Sequence, residues 1–233
     1  CSDLQEIRET ETEIRFGAGA TISRMLEAVP YAELRDMLSR YGSTQVRNAA
    51  TIGGNIANGS PIGDSPPPLI ALGATLHLRR GDTRRTLPLE EFFLDYKKQD
   101  RAPGEFVEAV SLPKRPDRLR VYKLSKRFDQ DISAVCGACY IPVSDGIVDA
   151  PRIAFGGMAG TPKRALRVEG ALSGKPWTRA TVEAAMPVMA EDFAPMSDMR
   201  ASAAYRLKTA QNMLLRAYLA DGDTGLDVRR VSA

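Results

Sequence analysis

One stretch of the chain, residues 46–65, holds the residue types best suited to binding a ligand. It contains four glycines, which let backbone N–H groups approach a ligand closely. Its short polar side chains add donors and acceptors without filling space: Thr51, Asn55, Asn58 and Ser60. Asp64 adds a carboxylate that suits a sugar hydroxyl. The stretch predicts neither core nor helix, and it fits a polyol phosphate such as a dinucleotide; a Gly-rich surface turn is the alternative.

Seven motifs along the chain extend this observation. Within the stretch stand Thr51-Ile52-Gly53-Gly54-Asn55-Ile56 and Ser60-Pro61-Ile62-Gly63-Asp64. Downstream follow Leu89-Glu90-Glu91-Phe92-Phe93, Tyr96-Lys97-Lys98, Glu105-Phe106-Val107, Tyr122-Lys123-Leu124-Ser125-Lys126-Arg127 and Ile153-Ala154-Phe155-Gly156-Gly157-Met158-Ala159. In this order they resemble the xanthine dehydrogenase family of molybdenum hydroxylases, which includes the carbon monoxide dehydrogenase flavoprotein. The resemblance covers nearly all of the chain, and the first two motifs look like the family's second flavin-binding segment.

The resemblance implies an α+β fold in two domains. Residues 1–113 are expected to form the second subdomain of an FAD-binding domain of the vanillyl-alcohol-oxidase type, with its first part absent. Residues 114–233 are expected to form a flavoprotein C-terminal domain, a small antiparallel sheet packed with helices. The family's iron–sulfur domain and first pyrophosphate loop have no counterpart in these residues, so we expect a C-terminal piece of a longer polypeptide.

The same resemblance implies which residues hold the cofactor. The expected FAD-binding residues are Tyr41, Ala50, Thr51, Gly53, Gly54, Asn55, Ser60, Asp64, Val107 and Lys123. Thr51, Gly54 and Asn55 would hold the pyrophosphate, and Ser60 and Asp64 would hold hydroxyls of the ribityl or ribose part. Tyr41 and Val107 would pack near aromatic rings of the cofactor. Lys123 would tune the isoalloxazine, because a positive charge there stabilises the reduced anion.

The function implied is electron transfer without substrate chemistry in this chain. Electrons would pass from 2Fe-2S clusters through FAD to NAD⁺ during hypoxanthine or xanthine oxidation, while hydroxylation takes place at molybdopterin on a partner. We expect no catalytic residue and no metal ligand in the chain itself. The expected partners are a molybdenum-binding large subunit and the upstream iron–sulfur/FAD segment, in a hetero-oligomer. The alternatives are a flavoprotein subunit of a carbon monoxide dehydrogenase- or aldehyde oxidase-like enzyme, and a docking module that binds no flavin.

Composition excludes several other classes of protein. The chain has 233 residues, of which 43% are apolar and 26% charged, as in an ordinary globular protein. Its net charge of +3 and lack of a Lys/Arg-rich block argue against nucleic-acid binding. No run of apolar residues is long enough for a membrane span. Three cysteines cannot build a disulfide framework, and a reducing cytoplasm fits best.

Three further motifs could be given a functional interpretation, but each has a simpler structural explanation. The run Gly17-Ala18-Gly19-Ala20-Thr21-Ile22 looks like a Rossmann fingerprint but lacks the third glycine, and it predicts a tight strand-to-helix turn. Cys136 and Cys139 stand three apart in a predicted strand, so they face opposite sides and are expected to be buried structural thiols. His77, the only histidine, is expected on the surface of a strand.

The periodicity of apolar residues predicts the remaining elements. Helices are expected at 21–29 with Thr21 as N-cap, at 31–41, from Pro66 to Ala71, after Thr161-Pro162, after Thr178 and at about 201–220. Strands are expected at 4–8, 12–17, 75–79, 83–87, 106–112, 119–125, 133–143 and 147–155, with a hairpin turn at Gly81-Asp82. The polar tail after Asp221 is expected to fray.

Overall fold

The computed structural model describes residues 3–222, so the predicted frayed tail and Cys1 lie outside the described residues. The chain builds two main antiparallel sheets. The first contains β1 (Ile7–Glu9), β2 (Glu13–Gly17), β3 (Thr75–Arg80), β4 (Thr83–Pro88) and β7 (Phe106–Pro113), in the order β1-β2-β7-β3-β4. The second contains β8 (Leu119–Leu124), β9 (Val135–Tyr140), β12 (Arg152–Gly156) and β13 (Lys163–Arg164), in the order β13-β12-β9-β8. Two small hairpins are added by β5 (Phe93–Asp95) with β6 (Lys98–Gln99), and by β10 (Val143–Ser144) with β11 (Ile147–Val148).

Helices from both halves of the chain pack on the two sheets. From the first half come α1 (Ile22–Ala28), α2 (Ala32–Ser39), α3 (Thr44–Ala49), α4 (Ile52–Asn58) and α5 (Pro66–Leu72). From the second half come α6 (Leu166–Leu172), α7 (Arg179–Ala185), α8 (Met189–Asp192) and α9 (Ala203–Gly222). Between residues 3 and 222 no helix is long and apolar enough to cross a bilayer. Because each sheet draws its strands from only one half of the chain, we propose domains at 1–113 and 114–233.

Several local predictions are confirmed by the geometry. Thr21 caps α1, since its hydroxyl oxygen accepts a hydrogen bond from the N–H of Arg24. The Gly17–Ile22 run is a tight strand-to-helix turn between β2 and α1. Gly81, with φ of +58°, forms the two-residue turn between β3 and β4, a backbone conformation that glycine adopts without strain.

The prediction that residues 46–65 avoid helix and core is wrong. The stretch contains the end of α3 and all of α4, and the side chains of Ile52 and Ile56 are fully buried. Thr51 caps α4 by accepting a hydrogen bond from the N–H of Gly54 at 3.1 Å. A Cβ at Gly53 would lie 2.3 Å from the Cβ of Ala18. The glycine there therefore permits close packing of α4 against the β2–α1 turn. Composition alone cannot distinguish a glycine used for close packing from one that lies in a loop.

The predicted helix start at Thr161-Pro162 is also wrong. The chain continues there as β13, and α6 begins only at Leu166. Asp192, from α8, accepts hydrogen bonds from the first backbone N–H groups of α6 at 3.0 and 3.1 Å. The cap thus comes from a residue distant in sequence, which a local signal cannot reveal. The predicted strand at 147–155 is likewise divided, because Ala150 with φ of 41° breaks it into β11 and β12.

The second sheet is buried on both faces. Every residue of β9 is buried. Cys136 belongs to the core cluster of the first half and Cys139 to the cluster under α6–α9. The prediction that the two thiols point to opposite faces and are buried is therefore confirmed. The sheet forms a middle layer, with α2 and α5 on one side and α9 on the other.

Candidate functional site

Helix α4 presents one apolar face to the core and one polar face outward. Its inward face is formed by the buried residues Ile52, Gly53 and Ile56. The outward residues follow helical spacing and are small or polar: Thr51, Gly54, Asn55 and Asn58. Their small size is not required by packing, because they do not line the core. The result is a shallow polar surface along one side of the helix.

The backbone N–H groups at the start of α4 are already used within the protein. The N–H of Gly53 donates to the carbonyl oxygen of Ala18 at 2.9 Å, and the N–H of Gly54 donates to the hydroxyl oxygen of Thr51 at 3.1 Å. The hydrogen bonds of the described residues leave the Thr51 hydroxyl proton and one amide hydrogen of Asn55 unassigned. Any ligand on this face would be held by side chains more than by a glycine backbone cradle.

Asn55 links Tyr41, another predicted site residue, to Ser65 in a hydrogen-bonded chain. Its Nδ2 donates to the hydroxyl oxygen of Tyr41 at 2.9 Å, and its Oδ1 accepts from the hydroxyl of Ser65. Burial raises the pKa of Tyr41 above its ordinary value, although the bond from Asn55 acts in the opposite direction. Tyr41 therefore stays a neutral phenol, and Asn55 is held in one orientation. Sequence reasoning missed Ser65, which has no distinguishing local pattern.

Three other predicted residues have simpler positions. Ala50 ends α3, and its carbonyl oxygen accepts from the N–H of Ile22 at 2.9 Å. Ser60 follows α4 and accepts from the N–H of Ile62 at 3.3 Å, in a turn that leaves the serine half-exposed. Val107 lies in β7, where it is 6% exposed and packs in the first core cluster. These three do not join the polar chain around Asn55.

Asp64 and Lys123 form a buried ion pair between the two halves of the chain. The Nζ of Lys123 lies 2.7 Å from Oδ2 of Asp64, and their side chains are 0% and 8% exposed. The same Nζ donates to the carbonyl oxygen of Asp131 at 2.7 Å and to the hydroxyl oxygen of Ser133 at 2.9 Å. Ser133 in turn donates to Oδ1 of Asp64 at 2.5 Å.

This arrangement changes the roles expected for the two residues. An ammonium group has three donors, and all three of Lys123 have acceptors within the protein. Its charge is compensated at contact distance by Asp64, whose two oxygens are both engaged. Lys123 cannot donate to a ligand without giving up one of these bonds, and each oxygen of Asp64 already accepts one. Sequence reasoning placed both at the site but did not pair them, and it missed Ser133, which lies 69 residues from Asp64.

The loop after Lys123 borders an open pocket of about 330 Å³. The pocket is lined by Leu124, Ser125, Lys126, Ala134, Arg200, Ala201, Ser202 and Tyr205. Lys126 donates to the carbonyl oxygen of Met199 at 2.8 Å, so the loop is tied to the segment before α9. Two cationic side chains and an exposed tyrosine ring give this pocket a character suited to an anionic, aromatic ligand.

The thiols and the histidine have structural surroundings. Burial raises the pKa of Cys139 to about 12 and that of Cys136 further, so both remain protonated. Arginine can only donate, so His77 accepts from Arg15 at Nδ1 (3.1 Å) and donates from Nε2 to Ser111 (2.8 Å). His77 is half-buried in this network rather than simply on the surface. Within residues 3–222 no group of His, Cys, Asp or Glu could hold a metal ion.

Comparison with known families agrees with this architecture. Residues 1–115 match the model of the FAD binding domain in molybdopterin dehydrogenase. Residues 120–220 match the model of the CO dehydrogenase flavoprotein C-terminal domain. The chain belongs to the flavoprotein family of the molybdenum hydroxylases, and the predicted family and α+β fold are confirmed.

The chain is similar to members of that family with different named activities. The chain is 34% identical over 87% of its length to a nicotinate hydroxylase of Emericella nidulans, and 32% identical over 82% to a xanthine dehydrogenase of the same organism. It spans only 15% and 14% of those two proteins. Among solved structures it is similar to a carbon monoxide dehydrogenase of Hydrogenophaga pseudoflava, with a TM-score of 0.86 and 30% identity, covering 94% of this chain and 79% of that one.

Proposed function

We propose that this chain is the FAD-binding part of a xanthine dehydrogenase-like molybdenum hydroxylase. The observation that carries the proposal is the outward face of α4, where Thr51, Gly54 and Asn55 form a polar surface that serves no packing purpose. It lies within the residues that match the FAD binding domain. When bound, FAD would accept electrons from iron–sulfur clusters on a partner and pass them to a final acceptor.

The residues present fit a cofactor laid along α4. Gly54 is exposed, and a Cβ there would meet only the Thr51 hydroxyl at 3.0 Å, so the missing side chain leaves surface open without serving the core. Thr51 and Asn55 would donate to the pyrophosphate, and Tyr41 would lie beside the cofactor, held by Asn55. Asp64 and Lys123 would fix the loop that carries Ser60, since their own bonding groups are satisfied within the protein.

The test of FAD binding compares matched asparagine variants in the assembled enzyme. Asn55→Ala removes a donor to the cofactor and frees the Tyr41 and Ser65 hydroxyls, so FAD should bind about tenfold more weakly. Asn212→Ala makes the same chemical change on the exposed side of α9 and should leave FAD unchanged. The flavin absorbance per chain measures the FAD content. Fluorescence titration with the released FAD then measures the affinity. Equal FAD affinity in parent and Asn55→Ala would contradict the assignment, and a colourless parent would favour the docking module.

NAD⁺ is our proposed acceptor. The support is the pocket beside the 124–126 loop, which combines Lys126, Arg200 and the ring of Tyr205, groups suited to a phosphate and an aromatic base. Lys126→Glu should raise the KM for NAD⁺ while leaving electron transfer to an artificial dye unchanged. A loss of activity with both acceptors would show that the loop acts on the flavin instead. Full activity with oxygen and none with NAD⁺ would show that the acceptor is oxygen.

Hypoxanthine or xanthine is the proposed substrate of the assembled enzyme, and the substrate pocket belongs to a molybdenum-binding partner. The support is the similarity to xanthine dehydrogenases, which is matched by that to a nicotinate hydroxylase. The purified complex should reduce its flavin on addition of xanthine. Reduction by nicotinate or carbon monoxide, with xanthine inert, would reassign the substrate. The proposed hetero-oligomer would be seen in the same purification. A reducing cytoplasm is the proposed location, because three cysteines cannot build a disulfide framework.

A further inference from the structure

One buried arginine of the second half reaches the loops that surround the cofactor segment. Arg206 lies in the first turn of α9 and is 2% exposed. Its Nη1 donates to the carbonyl oxygens of Ala134 and Gly157, the latter at 3.1 Å, and its Nη2 donates to Oδ1 of Asp198 at 2.7 Å. A planar guanidinium can make these contacts at once because its donors point in fixed directions. The arginine therefore ties together three loops.

Two of these loops hold the segment 60–65. Ala134 directly follows Ser133, whose hydroxyl donates to Asp64 at 2.5 Å. Gly157 donates its N–H to the carbonyl oxygen of Pro61 at 2.7 Å. The segment is thus fixed at two points, and both points are joined through the same guanidinium.

The two loops approach each other so closely that there is no room for a side chain at position 157. A Cβ at Gly157, whose φ is +81°, would lie 2.2 Å from the carbonyl oxygen of Ala134. The carbonyl oxygens of Ala134 and Gly157 converge on one nitrogen of Arg206. Two such partial negative charges repel each other, and the guanidinium nitrogen that donates to both offsets this repulsion. The close approach therefore depends on the charge and the shape of the guanidinium.

We propose that Arg206 is a positioning residue for FAD binding. It acts without touching the cofactor, by holding Ser133 and Gly157 where they set Asp64 and Pro61. The inference rests on the proposed function, because it concerns the same cofactor site. The second half of the chain would therefore influence the affinity for FAD, in addition to the contacts that the outward face of α4 makes itself.

The experiment compares conservative variants of two arginines, the buried Arg206 and the half-buried Arg164, in the assembled enzyme. Arg206→Lys keeps the charge but cannot span both carbonyl oxygens and Asp198. Arg164→Lys is the control, since Arg164 makes a comparable ion pair with Glu169 at 2.5 Å and has no bond to the loops at 134 or 157 among the residues that the structure describes. Both should lower the unfolding temperature. Only Arg206→Lys should weaken FAD binding, by about tenfold, and change the visible circular dichroism of bound flavin.

The outcomes separate this inference from the proposed function. A parent enzyme that lacks FAD would overturn both. A parent with FAD and an Arg206→Lys variant with unchanged FAD affinity and dichroism would overturn the positioning role alone. If Arg206→Lys does not assemble, Asp198→Asn removes the negative charge beside the guanidinium, while the amide oxygen can still accept from the N–H groups of Arg200 and Ala201; it should weaken FAD binding about threefold. Unchanged affinity in that variant would also overturn the inference.

Discussion

Replacing Lys123 by methionine should destabilise the protein far more than replacing an exposed lysine nearby. The substitution keeps much of the side-chain volume but leaves Asp64 in a buried site, with Ser133 as its remaining side-chain donor. Removing one partner of a buried ion pair costs about 3–5 kcal/mol, because the other charge is left uncompensated. Lys126→Met is the matched control, since Lys126 is exposed and surface substitutions stay within roughly 0.5 kcal/mol.

A double variant separates the pair from each of its members. Asp64→Asn alone leaves a buried ammonium without its anion, and it should also cost several kcal/mol. In Lys123→Met/Asp64→Asn no uncompensated charge remains. The loss should fall below the sum of the single losses by at least about 2 kcal/mol, a coupling expected for residues in direct contact. The measurement is the free energy of unfolding in urea for the parent, both single variants and the double variant.

The same variants report on the flavin. Lys123→Met adds one net negative charge near the proposed cofactor and should lower the flavin midpoint potential by tens of millivolts, since about 30 mV corresponds to 1.4 kcal/mol for two electrons. The double variant should return the potential close to that of the parent. A Lys123→Met variant as stable as Lys126→Met would refute the buried pair as described. A shift in potential that persists in the double variant would show that Lys123 acts on the flavin independently of Asp64.

Three further outcomes are expected from the geometry. Burial and the charge of Arg15 lower the pKa of His77. As the pH falls below about 6.5, the unfolded chain therefore takes up a proton at His77 before the folded chain does, and stability is lost. His77→Gln should flatten this dependence of stability on pH in unfolding curves recorded between pH 5 and 8. Cys136 and Cys139 should escape a thiol reagent in the native protein and react only after unfolding, as peptide mass spectrometry would show, and labelling at the native state would contradict their burial. Gly53→Ala should cost roughly 1–3 kcal/mol through overpacking, whereas Gly54→Ala on the outer face should be nearly neutral or slightly stabilising in thermal unfolding.

Sequence patterns predicted elements whose signals are local. The β3–β4 hairpin follows from alternating residues around a two-residue turn at Gly81, and α1 follows from a cap at Thr21 ahead of an apolar periodicity. The opposite facing of Cys136 and Cys139 follows from strand geometry alone. In each case the physical cause lies within a few residues of the element, so one sequence is sufficient.

The missed features depend on partners that are distant along the chain. Helix α4 forms in spite of two glycines because one of them, Gly53, packs against the β2–α1 turn. Helix α6 is capped by Asp192, which a local search for a cap cannot find. The candidate site was recognised through family motifs, yet the partner of Asp64 is 59 residues away. Periodicity carries no information about which buried charges meet between the two halves of the chain.

The double burial of β9 limits how this protein can be recombined with its relatives. Each side chain of that strand contacts a layer made by one half of the chain or the other, so the strand belongs to both halves at once. A hybrid that joins the first half of this chain to the second half of a relative would have to match α5 on one face of β9 and α9 on the other. Crossover points placed at 113–118 would break this match, although the chain there looks like a linker. A crossover placed before α2 would keep α2, α5, β8, β9 and α9 from a single parent and would preserve it.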